Sequence, residues 1–349
     1  MKYVFVVHSH TLFLTSLGVI DYLALKHEDV ILLHTRNYRT SIVPEGAKTI
    51  YCDVEFEVCQ KMLSPENRKN LHRQVRSFDA KVEEWIGECF ELFVPHLWAP
   101  FFKLLQTNRK CRKVSLVQEG AYTIKAYFHN HWALYQKLRH RLGSFLKYGT
   151  TRFYGNGWYT DGELRHQKEI EAYAIFPEFF KYLECKIHIV KWPEIRLDLQ
   201  KPDKGPVFIF DGFVKHGLCS GDFYLQTCRK MIEENAYGMS YLKFHPAQRE
   251  DERKAIITMF EKTERPYFIL DDKIPFELII LSCEKLTVVG LGSSLLYFAK
   301  AQGHTVRCYD YWLLDDSKYL EYHNHGVPVF NDYFQESGGL PFNNLKIES

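Results

Sequence analysis

The chain has 349 residues, a formal charge of +2, 46% hydrophobic and 15% aromatic residues. That length accommodates two α/β domains of ordinary size, and the near-neutral balance argues against wholesale nucleic-acid binding. Nine scattered cysteines, odd in number and without a C-x-x-C pair, have the pattern of a reduced, cytoplasmic protein lacking a zinc site.

The opening run, residues 1–7, is apolar but stops at His8-Ser9-His10. It is too short for a signal segment or a membrane span and reads as a first strand over residues 3–7. A helix over 11–25 follows, then strands at 30–34 and 49–51. A long helical stretch runs from Cys59 to about Phe90, and a short helix over 100–106 has proline in its first turn. Another strand covers 114–117. The segment 128–153 carries Lys137, Arg139, Arg141, Lys147 and Arg152 among leucines and aromatics, so one helical face is apolar and another basic. Such a helix packs on its own domain or touches an anionic membrane surface or an acidic or lipid-linked acceptor. No later run is apolar for long enough to cross a bilayer, so the expectation is a cytoplasmic protein, soluble or peripheral at the inner face of the membrane.

The turn-rich, charged residues 201–206 form a plausible linker. Strand and helix patterns then resume: strands at 207–210, 240–244, 267–270, 286–289 and 306–309, with helices over 247–262 and 295–302. The alternation predicts mostly parallel sheets covered by helices, in an N-terminal domain 1–200 and a C-terminal domain 201–349.

Chemistry-bearing residues stand at the carboxyl ends of these strands, where open α/β sheets bind ligands. Lys243-Phe244-His245-Pro246 closes one strand. Gly290-Leu291-Gly292-Ser293-Ser294 closes another and opens a helix, and the amides and hydroxyls of such a turn favour a phosphate. Either motif alone also reads as an ordinary loop or N-cap. Between them, Pro275 suits a first helical turn and Glu277 either complements the helix dipole or accepts hydrogen bonds from a ribose. Asp211 and Gly212 end the first strand of the second half, near enough in topology to approach the same nucleotide. No Asp-x-Asp or spaced His/carboxylate set marks a metal site.

The order of strand, Lys-x-His-Pro, helix, Pro-x-Glu, strand and Ser-Ser resembles the nucleotide-binding half of bacterial sialyltransferases, including lipooligosaccharide sialyltransferases and polysialyltransferases. The resemblance runs at motif level over residues 114–300. It implies a GT-B-like fold of two Rossmann-like domains facing a central cleft, and inverting transfer of sialic acid from CMP-sialic acid to a hydroxyl of a bacterial surface glycan. The donor is a substrate, and no cofactor or metal is expected. The family carries two acidic residues before a glycine in its first half; the match here is Gln118-Glu119-Gly120, with an amide at the first position, so Glu119 is the candidate base. By the same resemblance His245 is the candidate acid toward the departing phosphate. Gly292, Ser293 and Ser294 would hold that phosphate, Glu277 the ribose, and Lys243 with Pro246 would lie near the base. His8, Ser9 and His10 would face acceptor or sialic acid. The altered acidic motif keeps two alternatives open, a transferase using another CMP-nonulosonic acid and a non-catalytic nucleotide-sugar-binding module of a capsule machine; a nucleotide-sugar hydrolase or epimerase would share the phosphate-binding half.

Overall fold

The computed structural model describes residues 1–97, 99–120, 134–153, 170–180, 185–194, 202, 205–245 and 248–324. The chain divides into two compact units, Met1–Pro193 and Glu194–Ser349.

The first unit runs β1 (Lys2–Val7), α1 (His10–Tyr22), β2 (Val30–His34), β3 (Lys48–Tyr51), α2 (Asp53–Lys61), α3 (Leu71–Trp85), β4 (Phe90–Val94), α4 (Pro100–Gln106), β5 (Cys111–Val117), α5 (Leu134–Tyr148), β6 (Glu171–Ala174) and β7 (Lys186–Ile189). Its seven strands lie in the order β3-β2-β1-β4-β5-β6-β7, every neighbouring pair parallel. Parallel strands covered on both faces read as unbroken apolar runs, as Val4 to Val7 and Val30 to Leu33 do, all nearly inaccessible to solvent. The chain order reverses between β1 and β4, which makes the carboxyl ends of those two strands the switch point of this sheet.

α1 is buried from Thr11 to Ile20, and Ser9 caps it by accepting from the Leu12 amide. Its Gly18 faces backbone: a Cβ there would stand 2.1 Å from the Lys191 carbonyl oxygen. Beside that contact Trp192 donates its indole N–H to Thr15 Oγ1 at 3.2 Å. α3 buries Leu71, Val75, Phe78, Val82 and Trp85, one stripe at helical spacing.

The single helix expected from Cys59 to Phe90 is instead two helices and the start of a strand. Pro65 cannot donate a backbone hydrogen bond, and turns at Ser64 and Asn67 separate α2 from α3. Phe90 opens β4, whose five residues are all buried between β1 and β5. The basic segment contains α5, along which Leu138, Leu142, Phe145 and Leu146 are each more than half exposed beside exposed Arg139, Arg141 and Lys147. Residues 128–133 of that segment lie outside the described residues.

The second unit runs β8 (Pro206–Phe210), α6 (Gly221–Asn235), β9 (Ser240–Phe244), α7 (Glu250–Lys262), β10 (Tyr267–Ile269), α8 (Phe276–Ser282), β11 (Thr287–Gly290), α9 (Ser294–Ala301), β12 (Thr305–Cys308) and α10 (Ser317–Asn324). Five parallel strands lie in the order β10-β9-β8-β11-β12. Phe208, Phe210, Phe244 and Phe260 pack with Tyr224 and Met231 into its core. Two Rossmann-like units with parallel sheets are the α/β, GT-B-type composition expected from the sequence. Among the described residues no helix is long and apolar enough to cross a membrane.

Candidate active site

In the first unit, four adjacent strands each deliver one side chain toward a common point beyond their carboxyl ends. Arg36 follows β2, His8 follows β1, His96 follows β4 and Glu119 follows β5. His8 Nε2 is hydrogen-bonded to Glu119 Oε1, with the imidazole almost wholly buried and the carboxylate 24% exposed. Burial pushes the Glu119 carboxyl up, but His8, His96 and Arg36 outweigh it and bring its pKa down to about 2. Glu119 is therefore ionised at neutral pH. His96 is buried against Phe102, ring centroids 4.7 Å apart, and burial pushes its pKa down to about 3, so it is neutral there. Arg36 takes a left-handed backbone conformation, φ 56°, with its guanidinium 5.5 Å from the centre of the Phe56 ring.

The amide in place of the first acidic residue has a structural task. Gln118 is fully buried, and its Oε1 accepts from the backbone amides of Ile175 at 2.8 Å and Phe176 at 3.0 Å, just past β6. It stitches the end of β5 to the end of β6 and leaves Glu119 as the carboxylate at the strand end.

In the second unit the motif residues converge at the carboxyl ends of β9, β8 and β11, which are neighbours. Asp211, directly after β8, is buried; the Gly292 amide and the Ser293 hydroxyl hydrogen-bond to its carboxyl, yet burial outweighs them and raises its pKa to about 7. Its backbone is fixed by Tyr224, whose hydroxyl accepts from the Asp211 amide and donates to the Asp211 carbonyl, each at 3.0 Å. Gly212 accepts the His216 amide at 3.1 Å, closing the turn. At Gly292 a Cβ would stand 2.9 Å from Phe213 Cζ, so that ring would have to shift to admit a side chain. Ser293 caps α9 by accepting from the Leu295 amide, and Ser294 is the helix's first residue, so two hydroxyls and a helix N-terminus stand at the same strand end.

His245 leaves β9 with its amide bonded to the Phe210 carbonyl at 3.0 Å and its carbonyl accepting from Arg253 at 3.1 Å. Its imidazole reaches solvent and meets the His216 ring edge-on, centroids 6.1 Å apart. The surrounding protein, with His216 and Arg253 adding to it, pushes the His245 pKa below the usual value. Lys243 is buried rather than a solvent-facing strand residue, and its ammonium donates to the carbonyls of Asp271 and Ile274, both at 2.7 Å. It ties down the loop that leads into α8, in whose first turn Glu277 stands close enough to Lys243 to act on its charge. Pro246 lies outside the described residues. Arg36, His96, His216 and Arg253 were not read from the sequence. Each follows or faces a strand end, but isolated basic residues there carry no motif of their own.

No curated protein matches the chain by sequence. Among solved structures, a sialyltransferase from Photobacterium damsela is similar at 14% identity, with 93% of this chain and 79% of that chain covered and a TM-score of 0.49. A second, a sialyltransferase from Photobacterium damselae, residues 113–497 corresponding to the GT-B domain, is similar at 14% identity over 94% of this chain and 97% of that one, TM-score 0.49. ADP-heptose lipopolysaccharide heptosyltransferase II from E. coli is similar at 12% identity over 88% and 84% of the two chains, TM-score 0.40. The family model for alpha-2,8-polysialyltransferases matches residues 57–307, well over half of the chain and a span that includes Glu119, His245 and Ser293, and the chain belongs to that family of glycosyltransferases.

Proposed function

We propose that the protein transfers sialic acid from CMP-sialic acid to a hydroxyl of a bacterial surface glycan, lipooligosaccharide or capsule, by a single inverting displacement without a metal. The observation that carries this reading is a carboxylate at the end of β5 that is hydrogen-bonded to His8 and kept ionised by that bond together with the Arg36 charge. Glu119 takes the acceptor's proton as the acceptor oxygen bonds to the anomeric carbon, and the bond from that carbon to the phosphate breaks with its electron pair going to CMP. Ser293, Ser294 and the amides at the start of α9 meet the growing phosphate charge. His245, whose lowered pKa favours the neutral imidazole, donates a hydrogen bond to it. Glu277 binds the ribose. Lys243, already committed to two carbonyls, shapes the nucleoside pocket through the loop before α8. The exposed apolar stripe of α5 with its basic flanks favours work at the inner face of an anionic membrane, on a lipid-linked acceptor.

The test is release of CMP from CMP-sialic acid with EDTA present, comparing wild type with Glu119→Ala and His245→Ala. Release by the wild type alone, at a rate unaffected by EDTA, is the expected result, each substitution costing about 10²-fold or more. Full release by Glu119→Ala would remove the assigned base, and loss of activity in EDTA would remove metal independence. CMP binding without turnover of CMP-sialic acid would point to another CMP-linked nonulosonic acid as donor.

A further inference from the structure

Glu119 has two carboxylate oxygens, and the fold commits one of them. Oε1 is bonded to His8, which stands immediately beyond β1, the strand flanked by β2 on one side and β4 on the other. The His8 side chain is only 2% exposed, against 24% for Glu119. A side chain so enclosed is badly placed to touch an acceptor sugar, the contact expected for it from sequence; it is well placed to hold a group that does. We infer that His8 is a positioning residue for transfer: it clamps Oε1 of Glu119 and thereby presents Oε2 to the acceptor hydroxyl. The inference rests on Glu119 being the base.

The chemistry of the pair fixes the direction of the bond. An ionised carboxylate can only accept, so Nε2 carries the proton of this bond. Nδ1 is buried and has no hydrogen-bond partner among the described residues, so the ring's one directional contact is with Glu119. Glu119 needs such an anchor: its side chain has three rotatable bonds and it is followed at once by Gly120. Proton abstraction requires heavy atoms about 2.6–3.2 Å apart, and a loosely held base loses the benefit of orientation. When the acceptor O–H breaks, its proton goes to Oε2. Oε1 becomes the carbonyl oxygen of a carboxylic acid and still accepts from Nε2. The clamp therefore survives the step it orients.

The same contact has an opposing effect that makes the role measurable. Among the described residues, His8, Arg36 and His96, from the ends of β1, β2 and β4, face Glu119; His96 is neutral near neutral pH, and the His8 bond and the Arg36 charge favour the ionised form. Removing His8 should make Glu119 more basic while leaving it badly aimed. A residue that merely supports the fold would lower the rate without changing the pH at which the base titrates.

The experiment measures CMP release from CMP-sialic acid, with an α2,8-linked sialic acid oligomer as acceptor, between about pH 5 and 8. Wild type, His8→Phe, His8→Gln and Glu119→Gln are compared. His8→Phe is expected to lose about 10²-fold in kcat with an unchanged KM for the donor, and its activity should fall on the acid side of the window where that of the wild type does not. His8→Gln places an amide N–H near the position of Nε2 and should recover most of the rate. Unaltered kcat in His8→Phe would overturn the proposal. So would a reduced kcat in His8→Phe with the wild-type pH profile and with CMP affinity intact. Glu119→Gln separates the two levels: full activity there overturns the assignment of the base and the clamp with it, whereas an inactive Glu119→Gln beside fully active His8 variants overturns the clamp alone.

Discussion

Glu119 and Asp211 are both carboxylates just past the ends of parallel strands, and their surroundings drive them in opposite directions. The His8 hydrogen bond and the charge of nearby basic groups, Arg36 above all near neutrality, overcome the burial of Glu119 and keep it ionised, with a pKa of about 2. Asp211 has a serine hydroxyl and one backbone amide for company, too little to offset burial, and rises to about 7. Because the folded pKa of Asp211 lies above the ordinary value, its contribution to stability is full below about pH 4 and is lost as pH rises through 7. Asp211→Asn keeps the shape and removes the ionisation. Its melting temperature should gain on that of the wild type as pH rises, with a larger difference at pH 8 than at pH 5, and a difference independent of pH would show that Asp211 does not titrate in the folded protein. A carboxyl that is half protonated near neutrality, beneath the turn assigned to a phosphate, also repels an anion less than a full charge would.

At the level of elements, what the sequence disclosed depended on whether a pattern was local. Strands ending in Lys243-x-His245 and in Gly290 to Ser294 were legible because an apolar run meets residues whose backbone needs are particular. β4 was not: five buried residues follow an amphipathic helix, and a short apolar run carries no periodicity of its own. Missing β4 also hid His96, two residues past its end. β6 and β7, four residues each, were too short to stand out. The task of Gln118 was beyond reach because its partners, the Ile175 and Phe176 amides, are more than fifty residues away. The amphipathic character of α5 was legible, and its apolar stripe is exposed. If that stripe meets anionic lipid, wild type should sediment with vesicles containing about a third phosphatidylglycerol, weakly at high salt. Changing Leu142, Phe145 and Leu146 to Gln should abolish sedimentation while leaving CMP binding intact, and equal sedimentation of the variant would dismiss the contact.

For the whole molecule, the two sheets divide the assigned chemistry: the base belongs to Met1–Pro193 and every phosphate and nucleoside residue to Glu194–Ser349. Hydrogen exchange in the presence of CMP should reflect that division. Amides following β8, β9 and β11, at Asp211 to Phe213, His245 and Leu291 to Leu295, should slow, while those of β1 and β2 keep their rates. Protection confined to the first unit would reverse the assignment.

The notch at Gly18 that receives the Lys191 carbonyl, with Thr15 receiving the Trp192 indole 177 positions along the chain, bears on how the protein is made. At 5–20 residues per second, translation separates those partners by roughly ten seconds or more. During that interval α1 exists without the segment that covers it, its apolar surface available to chaperones or to other nascent chains. Such long-range closure is slow in isolated folding as well. α1 leaves the ribosome long before Trp192 does, so its unit cannot close over it until the 177 positions between Thr15 and Trp192 have been made.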